Sequence, residues 1–385
     1  MRASGYLSTE IIGKVERAFL VGIEFPREEF PLTMTLSELA SLAKTAGASV
    51  VGQLTQKRQA PDPKYYLGSG KLQELKAQVA ATNANLIIFD HELSPAQERN
   101  LEDILEIKVI DRTELILDIF ARHATSHEGK LQVELAQASF LLTRLSGHGA
   151  LMSRLGGGIG TRGPGETKLE YDRRLIRSKI SQLGKEIEKL RRERQVKREK
   201  RQHSYLPVAA IVGYTNAGKS TLINALTKST VLTQDQLFAT LDPTTRKIYL
   251  PSGRTALLTD TVGFIQKLPH TLVTAFQATL EEIKDANLLL HVVDAANPDF
   301  EKQIAAVYGV LEELDCITKP IITIFNKNDK REKKLANQVL HKYRPAVVIS
   351  AANRSGLDKL VATIDDRLPG PQNAAGASTG QKSPA

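Results

Sequence analysis

Residues Gly213, Tyr214, Thr215, Asn216, Ala217, Gly218, Lys219 and Ser220 have the form GxxxxGK[ST]. Such a run can hold a polyphosphate with its backbone. The two glycines let the chain approach a ligand closely, so that successive N–H groups point at phosphate oxygens. Lys219 adds a mobile positive charge for the β- and γ-phosphates, and Ser220 a hydroxyl for Mg²⁺. The pattern needs a strand before it and a helix after it. Both are expected: residues 208–212 are an apolar run, and Thr221 opens a helical stretch through residue 227. The positive end of that helix's dipole would fall on the same phosphates.

Three further motifs follow in order. Asp260, Thr261, Val262 and Gly263 form DxxG at the end of a predicted strand, residues 255–259, 41 residues after Lys219. Asp260 can hold Mg²⁺ through water, and the Gly263 N–H can sense a γ-phosphate. Asn326, Lys327, Asn328 and Asp329 follow an apolar run. A buried Asp329 carboxylate would accept from the guanine N1–H and amine, where adenine offers a lone pair instead; discrimination of about 10⁴-fold follows. Ser350, Ala351 and Ala352 can close on the guanine O6 with a backbone N–H.

Between the phosphate loop and DxxG, residues 237–246 should form the first switch, with Phe238, Ala239, Thr240, Leu241 and Asp242 at the nucleotide. Thr240 is the expected second protein ligand of Mg²⁺, with Thr244 or Thr245 as fallback. Lys219, Gly263 and Thr240 are the expected catalytic set. Phe264 stands where many GTPases place a water-orienting glutamine. A phenyl ring cannot do that work, so hydrolysis should be slow until a partner orders the switches. By analogy with GTPases whose loops read GxxNxGK[ST], Asn216 is expected to help hold a potassium ion.

The chain has 385 residues, enough for two or three domains, with 41% hydrophobic and 25% charged residues. A single cysteine, Cys316, excludes a disulfide framework or a cysteine metal site and fits a reducing compartment. No run reaches the roughly 20 apolar residues of a membrane span, and no signal peptide is evident, so a cytoplasmic, monomeric protein is expected. The net charge is +9. Residues 168–201 carry 14 Lys or Arg against 6 Asp or Glu, or +8 of it. A solvated basic helix would explain some of that charge, but nucleic-acid contact explains the excess better.

The elements that must present these residues fall into four parts. Residues 1–125 alternate strands (17–23, 49–56, 85–89, 107–110) with helices (36–46, 71–82, 94–105), an α/β domain with a mostly parallel sheet. A glycine turn at Gly68–Gly70, flanked by Lys64 and Lys71, could hold a second nucleotide or an RNA phosphate; it could equally be an ordinary helix start. Residues 126–203 are expected to be an antiparallel helical hairpin. Its first arm belongs to a helical run over 112–145 with a break near Gly129. Its second starts near Thr167, with Leu169, Ile176, Ile180, Leu183, Ile187 and Leu190 as an a/d seam. Beyond Leu190 the charge continues without the seam. The tip, residues 146–166, contains Arg154 and a stretch from Gly156 to Glu166 in which six of eleven residues are glycine. Ordering it costs about 1–2 kcal/mol per residue, which suits close approach to RNA phosphate or else a flexible linker. Residues 204–368 form the doubly wound P-loop GTPase domain, and 369–385 a disordered tail.

The run from Gly157 to Glu170, with Asp172, Arg173 and Arg174, resembles the glycine-rich signature of the HflX ribosome-associated GTPases. Residues 66–72 and 238–242 also resemble that family's motifs, over roughly 15–368. The resemblance implies a cytoplasmic GTPase that binds the large ribosomal subunit and splits stalled or stressed ribosomes. It places Arg154, Gly157, Gly158, Gly160, Arg162, Gly163, Arg173 and Arg174 on ribosomal RNA. It also implies ATP binding by the N-terminal part. A GTP-gated scaffold in ribosome assembly is the alternative.

Overall fold

The computed structural model describes residues 15–26, 28, 30–152, 164–202, 206–227, 237–238, 244–266, 277–331 and 335–369, with the side chains of 146–152, 164–169, 195–202, 277–279 and 281 left aside. The chain divides into two units, residues 1–118 and 119–385.

In the first unit, β1 (Arg17–Glu24), β2 (Ser49–Lys57), β3 (Leu86–Phe89) and β4 (Lys108–Asp111) make a sheet of order β2-β1-β3-β4. All three pairings are parallel. Helices α1 (Leu32–Thr45), α2 (Ser69–Thr82) and α3 (Pro95–Leu105) provide the crossovers. Phe19, Val21, Ile87 and Phe89 of the sheet meet Leu72, Leu75 and Leu101 in one buried cluster. Helix α1 begins at Leu32, four residues before the sequence expectation. Pro31 is extended at its N-cap, and Thr35 satisfies its hydroxyl on the Leu32 carbonyl, so the β-branched first turn is tolerated. Helix α3 begins with a full capping box between Ser94 and Gln97. The glycine turn forms the start of α2, with the Gly68 N–H on Gln56 Oε1 at 3.0 Å. Lys71 there pairs with Glu74, and Lys64 lies over the Tyr65 ring.

The helical run after β4 breaks between α4 (Arg112–His123) and α5 (His127–Met152), rather than near Gly129. Ser126 explains the position: its hydroxyl accepts from the Gly129 N–H at 2.9 Å, placing Gly129 in the first turn of the new helix. Helix α6 (Pro164–Gln202) returns alongside α5. The Lys179–Glu134 and Arg194–Glu128 pairs fix the antiparallel sense. Of the described seam side chains only Leu183 is fully buried; Ile176, Ile180, Ile187 and Leu190 are half-buried. Two helices alone cannot enclose a seam. Past Leu190, within the charged stretch, Arg194 pairs with Glu128 across the hairpin.

The rest of the second unit is a six-stranded sheet, β10-β9-β8-β5-β7-β6. Its strands are β5 (Val208–Gly213), β6 (Thr245–Tyr249), β7 (Thr255–Asp260), β8 (Leu288–Asp294), β9 (Ile321–Asn326) and β10 (Ala346–Val348). Only β6 runs antiparallel. Helices α7 (Lys219–Thr227), α8 (Gln277–Asp285), α9 (Phe300–Glu313), α10 (Asn337–Lys342) and α11 (Leu357–Arg367) accompany it. Ile211, Leu258, Leu290 and Ile324 belong to one buried core with Leu222 of α7 and Leu360 of α11. The chain passes from β5 to β7 on one side and then crosses to β8 on the other. The crevice at the carboxyl ends of β5, β7 and β8 is therefore the place where an open α/β sheet accepts a ligand. The expected disordered tail beyond residue 369 lies outside the described residues.

Candidate nucleotide site

Strand β5 delivers the phosphate loop into that crevice, and a pair of backbone bonds ties it to the loop after β7. The Phe264 N–H donates to the Gly213 carbonyl at 3.1 Å, and the Thr215 N–H to the Phe264 carbonyl at 2.7 Å. The Tyr214 hydroxyl accepts from the Gln266 N–H at 3.0 Å, continuing the contact inward. Gly263 is thereby laid directly over the loop. A Cβ there would fall 2.8 Å from Lys219 Nζ and 2.9 Å from Thr215 Cα, so no larger residue fits without displacing one or the other. Gly218 has φ 91° and its Cβ would meet Asn326 Nδ2 at 2.4 Å, which makes glycine obligatory on two counts.

Lys219 is buried and donates to the Gly213 and Tyr214 carbonyls at 3.1 and 2.9 Å. Burial pushes its ammonium down to about 8, against the pull of Asp260, with Lys327 adding to the fall. Beneath it, burial and then Lys219 hold His291 down at about 3, so that imidazole is neutral. Thr221 lies in the first turn of α7, and Ala217 is buried.

Ser220 Oγ lies 3.2 Å from Asp260 Oδ2. A hydroxyl and a buried carboxylate face to face are hard oxygen donors of the kind Mg²⁺ takes, and Asp260 Oδ1 is steadied by the Thr261 N–H at 3.0 Å. Thr261 is anchored in turn on the Ile211 carbonyl at 2.6 Å, and Val262 is buried beside it. When bound, Mg²⁺ would offset charge on the β- and γ-phosphates; Ser220 and Asp260 would hold it. The fallback ligand Thr245 is instead in β6, its hydroxyl 3.1 Å from that of Thr259, while the Thr244 carbonyl accepts from Asp260 N–H. Ala239, Thr240, Leu241 and Asp242 lie outside the described residues. Phe238 is buried, with φ 59°, and its ring meets Phe120 edge-on at 4.6 Å.

On the base side, Asn326 bridges three loops. Its Nδ2 donates to the Ala217 carbonyl at 2.9 Å, and its Oδ1 accepts from the Ala351 N–H at 3.0 Å. Lys327, at φ 60°, pairs with Asp294 at 2.8 Å. The Ser350 hydroxyl donates to Asp329 Oδ1 at 2.5 Å and aims that carboxylate. Asp329 is exposed, not buried as expected, and so is Ala352. The dry surroundings that make Asp329 selective must arrive with the base itself. Asn216, at φ 59°, is also exposed, on the outer side of the loop.

Sequence reasoning missed the Phe120–Phe238 contact, since nothing in either neighbourhood marks a pairing 118 positions apart. Of the expected RNA contacts, Arg174 is exposed and Arg173 half-buried near Glu170 at 3.7 Å. Arg154, Gly157, Gly158, Gly160, Arg162 and Gly163 lie outside the described residues. No helix among the described residues is long and apolar enough to cross a membrane.

Family models match three consecutive stretches: "GTP-binding GTPase N-terminal" over residues 33–121, "GTP-binding GTPase Middle Region" over 123–201, and "50S ribosome-binding GTPase" over 208–327. The chain is 52% identical over 360 residues to the GTPase HflX of Caldanaerobacter subterraneus, covering 93% of this chain and 82% of that protein. It is 47% identical over 357 residues to the GTPase HflX of Escherichia coli, covering 92% and 83%. Among solved structures it is similar to the SsGBP–GDP complex, with a TM-score of 0.51 and 26% identity over 91% of this chain and 98% of that one.

The depressed Lys219 makes a sign prediction. In the free protein the ammonium loses its proton as pH rises through about 8; phosphates favour the charged form and restore it. Calorimetric titration with GDP at pH 8.5, in two buffers of different ionisation enthalpy, should therefore show net proton uptake on binding. Proton release, or no exchange, would contradict the assignment of Lys219 to the phosphates.

Proposed function

Because the chain belongs to the HflX family of GTPases and hydrolyses GTP, we propose that it is a guanine switch that acts on the large ribosomal subunit. In this reading its basic hairpin binds ribosomal RNA, and the bound protein dissociates stalled or stressed ribosomes in the cytoplasm. It acts as a monomer.

One observation carries the reading: Phe238 of the first switch is packed on Phe120 in α4, seven residues before the hairpin's first helix begins. A change at the γ-phosphate that moves the first switch must move or release that ring pair. The same contact would let an RNA-bound hairpin hold the switch in place and speed hydrolysis.

The hairpin surface suits RNA. Tyr171, Arg174, Leu175 and Ser178 are all exposed and recur at helical spacing on one face of α6. Tyr171 is 60% and Leu175 51% exposed, which is unusual for large apolar side chains in the described residues. A ring and a guanidinium side by side form a platform on which a base can stack, while the segment's +8 charge neutralises phosphate. At the catalytic end, we assign Asn216 to a potassium ion, which would add positive charge beside the γ-phosphate.

Two outcomes are expected. In sucrose gradients with a non-hydrolysable GTP analogue, the protein should migrate with large subunits and lower the population of joined ribosomes. That association should weaken steeply with salt, and Tyr171→Ala with Arg174→Ala should weaken it by about 10-fold or more. Salt-independent binding would exclude the hairpin as the contact. Separately, GTP turnover should be faster in potassium than in sodium buffers of equal ionic strength; equal rates would remove Asn216 from the cation.

A further inference from the structure

Three groups converge on one point over the phosphate loop. A Cβ built on Gly263 would lie 2.8 Å from Lys219 Nζ and 2.8 Å from Thr215 Cγ2. The Thr215 methyl and Cα therefore border, with the loop's lysine and the DxxG glycine, the end of the site where a γ-phosphate would be gripped, and the hydroxyl branches from the same Cβ as that methyl.

Thr215 is 6% exposed, and its hydroxyl is buried with no hydrogen-bond partner. Its N–H, by contrast, is fully used on the Phe264 carbonyl at 2.7 Å. Burying a hydroxyl without a partner is unfavourable, and valine would fill the same volume without that cost. A hydroxyl kept at such a point is therefore expected to serve a ligand rather than the fold. The nearby alternative has been withdrawn from the chemistry. Phe264 occupies the place of a water-orienting glutamine, but its ring is 3% exposed, packed inward, with its backbone bound on both sides to the loop.

We propose that the Thr215 hydroxyl orients the attacking water in GTP hydrolysis. Its oxygen accepts a hydrogen bond from that water, and its own proton is donated to a γ-phosphate oxygen. The water oxygen then forms its bond to the γ-phosphorus as the bond from phosphorus to the β–γ bridging oxygen breaks. The bridging oxygen keeps the electron pair and leaves on GDP. Both protons of the water end on the inorganic phosphate, one still on the water's own oxygen and one on a former γ-phosphate oxygen, and Thr215 emerges unchanged. The assignment concerns the hydrolytic step alone and stands apart from which macromolecule the hairpin binds.

The test is single-turnover hydrolysis of saturating GTP by the full chain carrying Thr215→Val or Thr215→Ser, alongside GDP affinity for each. Thr215→Val keeps the shape and the buried methyl, and Thr215→Ser keeps the hydroxyl. The valine variant should hydrolyse GTP roughly 10- to 100-fold more slowly with GDP affinity within a factor of about 3 of the parent. The serine variant should retain most of the rate. A valine variant as fast as the parent overturns the proposal. So does a serine variant as slow as valine, since the effect would then belong to packing and not to the hydroxyl. If valine weakens GDP binding as much as it slows turnover, the residue is structural and the proposal also fails.

Discussion

The nucleotide site depends on a two-way backbone clasp between the phosphate loop and the DxxG loop, formed by Phe264 N–H to Gly213 and Thr215 N–H to Phe264. Neither bond involves a side chain, so both are available to any sequence that can bring the strands' ends this close. What the sequence must supply is clearance. Gly263 leaves room for Lys219 Nζ and Thr215, and Gly218 leaves room for Asn326. The clasp then sets the height of the DxxG N–H over the lysine, and with it the space a γ-phosphate can occupy. It also decides the fate of Phe264, whose side chain is buried. That leaves the loop's own side chains to face the reacting phosphate.

The same economy holds on the base side. Asn326 connects the phosphate loop at Ala217 to the loop after β10 at Ala351, so the phosphate and base halves of the site are held by one side chain. Ser350 only aims Asp329, which stays exposed. Guanine binding would complete the dry environment that makes a carboxylate discriminate between purines.

The parts legible in the sequence are those where chemistry demands a residue type at a fixed spacing. The four nucleotide motifs come together at the carboxyl ends of β5, β7, β9 and β10 because each follows an apolar strand, and parallel strands bring their ends to one side. The α/β alternation before residue 112 was legible for a related reason: strands buried on both faces read as apolar runs. Contacts made only in the folded chain were not legible. Leu32 to Thr35 lie ahead of the expected helix and join it because Pro31 is extended at the cap. Gly129 looked like a break and is a first-turn residue, because Ser126 is the cap. The seam of α6 suggested a closed interface, yet of its described seam side chains only Leu183 is completely buried. Arg112 could not be foreseen as a fully buried cation paired with Asp90 and Glu38, and the Phe120–Phe238 pair has no local mark at all.

That pair is where the account is most exposed, since it joins the described part of the first switch to α4, the helix that leads into the hairpin. The direct measurement is the ratio of large-subunit affinities in the presence of a non-hydrolysable GTP analogue and of GDP, for the parent chain and for Phe120→Ala. The account predicts a ratio well above one that falls close to one in the variant, with nucleotide affinity itself unchanged. A ratio that survives loss of the Phe120 ring would contradict it.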